Sequence, residues 1–145
     1  MTKNLQQDIV TTMKHWQKVE NAAVVSTAQI MEKTENPLIR LVAEIIQRDS
    51  MIHYRVQEFI AHSIAHKALT LTPDDLTKIW GMIEQHIKIE QQTIDLAQQM
   101  LDCTRGQQGL ILQNYLLKYL LQDEQKHSDL LSRLDEIKRG IYKSV

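Results

Sequence analysis

The sequence predicts an all-α protein in which one domain, residues 1–145, folds as an antiparallel four-helix bundle. The chain contains only two prolines and four glycines, and such sparse helix-breaking residues are typical of long helices rather than of a sheet. Apolar residues recur at three- and four-residue steps in four stretches, which is the period of an amphipathic helix. The stretches are similar in length and are joined by short connections, as in a bundle with one core.

The first two helices are predicted from about Asn4 to Lys33 and from Pro37 to about His66. Asn36 is a suitable N-cap residue, and a proline directly after it suits the first position of a helix. A sharp turn is therefore expected between these two helices.

The other two helices are predicted from Pro73 to about Asp102 and from the last glycine-containing loop to about Arg139. Thr72 is the expected N-cap of the third helix, because it precedes a proline and two aspartates. Gly140 is a plausible C-terminal stop for the fourth helix.

Composition excludes several classes of function and partner. The net charge is -1, so no basic surface for nucleic acid is expected. No apolar run approaches the roughly twenty residues of a membrane span, and the first residues lack the apolar segment of a signal peptide. Cys103 is the only cysteine, which excludes an intramolecular disulfide and a four-cysteine iron site and favours a cytoplasmic location.

Ionisable residues interrupt every predicted apolar stripe near its middle. Counted from the loops, the interruptions fall at matching heights if neighbouring helices are antiparallel, so they would form one layer inside the bundle. A buried charge without a partner costs several kcal/mol, and a bound cation removes that cost. The residues are Glu20 in the first helix, Asp49 and His53 in the second, His86 and Glu90 in the third, and Asp123, Glu124 and His127 in the fourth.

The fourth helix carries the densest of these groups. Asp123 and Glu124 lie four and three residues before His127, so the three side chains share a face. Three imidazoles and several carboxylates across the layer can hold two divalent metal ions, and mixed nitrogen and oxygen donors suit iron, manganese or zinc. Two ions a few Å apart can share an oxygen species or a substrate oxygen.

The spacing Glu124-x-x-His127, together with lone glutamates in the first and third helices, resembles the signature of the ferritin-like superfamily. The segment DEQKHSDLLSRLDEIKRGIY is similar to the last helix of its rubrerythrin branch. The resemblance implies a ferritin-like bundle with a di-metal site, in this family usually di-iron. It also implies oxidoreductase activity towards oxygen, peroxide or ferrous iron, with an external electron donor. The layer and the resemblance together predict as metal ligands Glu20, Asp49, His53, His86, Glu90, Glu124 and His127, with Asp123 orienting or replacing one of them.

Two of these positions depart from the family pattern. Ser50 stands three residues before His53, where the pattern has glutamate. Asp49, four residues before His53, can substitute with a shorter reach. His86 is a nitrogen donor beyond the minimal ligand set.

The connection between the second and third helices is also short for a ferritin-like fold. Lys67–Thr72 spans about 20 Å when fully extended, so a long crossover requires the second helix to stop near Ile60. Otherwise the topology is up-down-up-down, as in hemerythrins. His86 and Glu90 resemble a hemerythrin ligand pair, although the first helix offers Glu20 rather than a histidine.

Two alternatives to an oxidoreductase stay open. Seven protein ligands could saturate the ions and leave a metal-binding or sensing bundle without turnover. The polar residues could also satisfy one another in a purely structural bundle. The chain ends soon after the fourth helix and lacks a fifth helix of the kind that closes ferritin cages, so a homodimer is expected.

Overall fold

The computed structural model describes residues 1–66 and 71–140, and every secondary-structure element in that part of the chain is helical. This confirms the all-α prediction. The chain divides into two compact units, Met1–Leu69 and Thr70–Val145. The helices are α1 Lys3–Lys33, α2 Pro37–Ala65, α3 Pro73–Thr77, α4 Trp80–Thr104 and α5 Ile111–Lys138, with one 3-10 turn, Gln108–Leu110, before α5.

The first unit is a hairpin in which α1 packs against α2. Asn36 caps α2 as predicted, because its side-chain oxygen accepts hydrogen bonds from the backbone N–H groups of Leu38 at 3.0 Å and Ile39 at 3.2 Å. Pro37 is the first residue of α2. The cap satisfies two donors that a helix otherwise leaves without partners. The helix continues to Ala65, which is beyond the point at which a long crossover would require it to stop.

The buried residues of this hairpin are small or polar. The buried residues are Ala43 and Ala61 together with Glu20, Thr27, Ser50 and Gln57. Small side chains let the two helices approach closely, and polar side chains bond across the gap. Gln47 donates to the Val24 carbonyl at 3.1 Å, for example. Buried polar groups need such partners, because an unmade hydrogen bond costs about 1–3 kcal/mol.

The second unit begins with the predicted helix start. Thr72 and Asp75 form a reciprocal capping box, in which each side chain accepts the other residue's backbone N–H. The predicted third helix is not continuous, however, because Ile79 leaves the helical conformation at φ -117° and ψ 4°. The break separates α3 from α4 and lets α3 contact α5 as well. Leu76 and Trp80, on the two sides of the break, are both buried.

Trp80 is bound at both its edge and its face. Its indole Nε1 donates to Glu84 Oε1 at 2.9 Å, and Lys138 Nζ lies 4.6 Å from the ring centroid. A cation over an indole face is attracted by the ring quadrupole. The tryptophan therefore links the beginning of α4 to the end of α5.

Two glycines with positive φ mark the turns of the second unit. Gly106 has φ +77° in the connection between α4 and α5, and Gly140 has φ +68° directly after α5. Glycine adopts this left-handed conformation without steric cost. Gly140 therefore ends the last helix as predicted.

Each unit by itself leaves large apolar side chains uncovered. Residues predicted to face a bundle core, such as Ile46, Ile52 and Val56, are about half exposed. Leu96 and Leu120 are similarly uncovered in the second unit. Across residues 1–66 and 71–140, the helices fall short of the length and apolar character needed to cross a membrane.

Candidate metal centre

The second unit brings three predicted ligands together. Glu90 lies on α4, and Glu124 and His127 lie one turn apart on α5. One carboxylate oxygen or ring nitrogen from each residue lies within 4.8 Å of the others. The packing of α4 against α5 thus creates a cluster that joins two carboxylates and an imidazole.

Glu90 is the centre of this cluster. Its Oε2 lies 3.4 Å from His127 Nδ1, and the same nitrogen lies 3.4 Å from Glu124 Oε2. Its other oxygen, Oε1, lies 2.8 Å from Nε2 of His86, one turn earlier on α4. A fourth predicted ligand therefore adjoins the cluster through the same carboxylate.

One carboxylate oxygen of the cluster has no hydrogen bond. Glu90 is 6% exposed, and its Oε2 is fully buried without a hydrogen-bond partner among the described residues. A buried acceptor without a donor carries its desolvation cost uncompensated. The imidazole of His127 is nearby, and its side chain is 40% exposed, so the cluster is reachable from solvent.

The two carboxyl groups shift each other's pKa in opposite directions. Interaction with the Glu124 carboxyl group lowers the pKa of Glu90. Burial opposes this shift, and the imidazoles of His127 and His86 assist it. The pKa of Glu124 is raised by its contact with Glu90 and by burial, against a hydrogen bond with Thr93. Adjacent carboxylates cannot both ionise without repulsion. The pair therefore favours ionisation of Glu90 and opposes ionisation of Glu124.

Asp123 lies beside the cluster in the orienting position that the sequence suggests. Its Oδ2 is 3.6 Å from His127 Nε2, and its Oδ1 is 2.5 Å from Lys126 Nζ. A carboxylate on the far nitrogen of a metal-binding histidine fixes the tautomer and the ring orientation. Asp123 can serve His127 in this way.

The first unit brings together a smaller set of predicted ligands. His53 Nδ1 lies 3.4 Å from Glu20 Oε1, and Glu20 is 7% exposed. Asp49 is half-buried one turn before His53, but within the described residues no hydrogen bond or ion pair joins it to His53 or Glu20.

Sequence reasoning missed a third member of this set. Gln57 is 3% exposed, and its Nε2 donates to Glu20 Oε1 at 3.2 Å. Its position four residues after His53 places it on neighbouring turns of α2. The four-residue spacing from His53 was the signal that could have identified Gln57. A neutral amide, however, does not stand out in an apolar stripe as a charged residue does.

No family model, curated protein or solved structure matches this chain. The ferritin-like resemblance therefore stays a prediction from the residues quoted above.

Proposed function

We propose that the protein binds a divalent transition-metal ion through Glu90, Glu124 and His127, with His86 as a further nitrogen donor. The buried Glu90 Oε2, which has no hydrogen bond from any described residue, carries this proposal. Two carboxylates and two imidazoles form a mixed oxygen and nitrogen donor set, which suits iron, manganese or zinc.

A cation would relieve the electrostatic strain of the cluster. Glu90 and Glu124 lie against each other in a partly desolvated position, which raises the pKa of Glu124. A bound metal ion would favour the ionised form of both carboxyl groups, because metal ligands bind in their deprotonated form. It would give Glu90 Oε2 a partner and replace the repulsion by attraction to both carboxylates.

The wider proposal is a ferritin-like four-helix bundle whose bound metal serves an oxidoreductase acting on oxygen, peroxide or ferrous iron. The Glu124-x-x-His127 spacing and the cluster around it support this proposal. The partial exposure of His127 also favours it, since catalytic metal sites keep a coordination position open to substrate. A metal-binding or sensing protein without turnover is the alternative.

Metal binding is tested with protein purified without chelator. Titration with Zn²⁺, followed by calorimetry, should give tight binding to the wild type. Affinity should fall on the order of tenfold or more in Glu90→Gln and His127→Ala, since losses of even supporting residues cost 10–100-fold. The control is His62→Ala, an exposed histidine outside the cluster, which should bind as the wild type does. Unchanged affinity in both cluster variants would contradict the proposal.

Turnover is tested separately. Oxygen or peroxide consumption by the Fe²⁺-loaded protein, in the presence of a chemical reductant, should exceed that of Glu90→Gln. Equal rates in the two proteins, with the metal shown to be bound only by the wild type, would favour the non-catalytic alternative.

A further inference from the structure

The two units present their ionisable residues with the same spacing. Asp49 and His53 are four apart on α2, as Asp123 and His127 are on α5. Each unit also has one buried glutamate on its other long helix, Glu20 in the first and Glu90 in the second. The units can therefore be compared position by position.

They differ at three places that decide the surroundings of the buried glutamate. Three residues before the histidine, the first unit has Ser50 and the second has Glu124. Four residues after the histidine, the first unit has Gln57 and the second has Leu131. Four residues before the buried glutamate, the first unit has Trp16 and the second has His86.

The first unit therefore lacks the second carboxylic acid and the second imidazole that adjoin the buried glutamate of the second unit. Glu20 Oε1 receives a hydrogen bond from the Gln57 amide at 3.2 Å and lies 3.4 Å from His53 Nδ1. Because Ser50 replaces the second carboxylic acid, no like-charge pair forms at this position. A neutral amide donor satisfies an ionised carboxylate without any ion.

The Gln57 amide is oriented so that it donates a hydrogen bond to the Glu20 carboxylate. The amide is almost fully buried, and its Oε1 has no donor among the described residues. Its Nε2 is nevertheless directed at Glu20. The side chain thus leaves its own acceptor unmatched while it supplies a donor to the carboxylate, which would otherwise be a costlier buried group.

We propose that Gln57 is a positioning residue that replaces a metal ion in the first unit, so that the chain holds one divalent ion, bound in the second unit. This inference rests on the proposed metal-binding function and specifies its stoichiometry. It differs from the two ions that the sequence predicts.

The number of Zn²⁺ ions bound per chain tests this inference. Zn²⁺ is titrated in competition with a chromophoric chelator into the full-length wild type and three variants. One equivalent is expected in the wild type, in Glu20→Gln and in His53→Ala, and none in Glu90→Gln. Two equivalents in the wild type, or a loss of the ion in Glu20→Gln or His53→Ala, would overturn the inference while leaving metal binding in place. A wild type that binds no ion would instead overturn the proposed function and this inference with it.

Two substitutions of Gln57 separate its positioning role from simple packing. Gln57→Glu places a second carboxyl group against Glu20 and should raise the Zn²⁺ stoichiometry from one to two. Gln57→Leu copies the residue of the second unit and should lower Tm equally with and without Zn²⁺, at an unchanged stoichiometry of one. If folded Gln57→Glu, verified by circular dichroism, still binds one equivalent, the amide does not stand in for an ion. If that variant does not fold, the Glu20→Gln and His53→Ala titrations still decide the inference.

Discussion

At the scale of single residues, ionisation of Glu124 beside Glu90 opposes folding when no metal is bound. The pKa of Glu124 is raised, which means that its ionised form is less favourable in the folded chain than in the unfolded one. The contribution of Glu124 to the free energy of unfolding is therefore most favourable at low pH, and it becomes unfavourable as pH rises through the raised pKa. Sites arranged for binding commonly carry such a cost in stability.

Glu124→Gln should remove the cost of ionising Glu124 beside Glu90, and it should also remove the proposed metal binding. We expect Tm of the metal-free protein to rise at neutral pH, because a neutral amide replaces the acid beside Glu90. The increase of Tm on adding Zn²⁺ should disappear in the same variant, whereas binding at a hundred times Kd should stabilise the wild type by about 2.7 kcal/mol.

Calorimetric scans with chelator and with excess Zn²⁺ measure both effects. Glu32→Gln is the matched control, since Glu32 is exposed on α1 and such surface changes usually stay within about 0.5 kcal/mol. A Glu124→Gln protein that is less stable than the metal-free wild type would show that the contact is favourable.

The sequence predicted part of this site because charges are conspicuous on an apolar stripe. Glu90, Glu124 and His127 interrupt otherwise regular patterns, and the structure places them together. Gln57 was not predicted, since a glutamine is equally common on a solvated helix face. Only the pairing of α1 with α2 shows that it meets Glu20.

At the scale of helices and turns, the capping box of α3 gives an acid-dependent contribution to stability. Hydrogen bonds from the backbone and hydroxyl groups of Thr72 lower the pKa of Asp75 below its ordinary 3.8. A lowered pKa in the folded state means that the contribution is present above the ordinary value and is lost as pH falls through the lowered one.

Asp75→Asn should therefore lower Tm near neutral pH, and its difference from the wild type should shrink in acid below about pH 4. Thermal scans monitored by circular dichroism at several pH values measure this difference. Asp74→Asn is the control, because Asp74 is the neighbouring acid outside the reciprocal box. A constant difference between wild type and Asp75→Asn at all pH values would contradict the assignment.

The helix boundaries show where local signals suffice. Asn36, Thr72 and Gly140 cap or stop helices through bonds within a few residues, so their roles are legible in the sequence. The break at Ile79 is different, because a glycine two residues later, Gly81, does not by itself predict it. The short helix α3 contacts α5, and tertiary packing of this kind can override helix propensity.

At the scale of the whole molecule, the uncovered apolar side chains bear on assembly. Phe59 in the first unit and Leu96 in the second are both 61% exposed. Exposed apolar patches mark sites of association. The homodimer expected from the sequence would give such side chains a partner surface.

Sedimentation equilibrium should therefore detect a dimer, and Tm should rise with protein concentration, because association stabilises the folded state by mass action. Phe59→Ser is expected to weaken the dimer if α2 lies in its interface. Lys88→Ser, an exposed change on α4, serves as a control for an altered polar surface. A strictly monomeric protein at all concentrations would contradict the expectation.

The sequence predicts the helices themselves better than it predicts which surfaces pack against their apolar faces. The stripe through Ile46 and Val56 indicates an apolar face, but hydrophobic attraction is non-directional. The same stripe suits several different partner surfaces. The four-helix bundle thus stays a prediction. The all-helical character and the helix ends at Asn36, Thr72 and Gly140 are confirmed, whereas the predicted third helix is divided at Ile79.

The two tryptophans of the chain have unlike surroundings, and this makes them separate optical reporters. Trp16 in the first unit is 49% exposed, whereas Trp80 in the second is 9% exposed and held by Glu84 and Lys138. An indole in water emits fluorescence at longer wavelength than one in a less polar environment. The tryptophan emission of a Trp16→Phe chain therefore comes only from the unit that carries Glu90, and it follows events there without a tryptophan signal from the other hairpin.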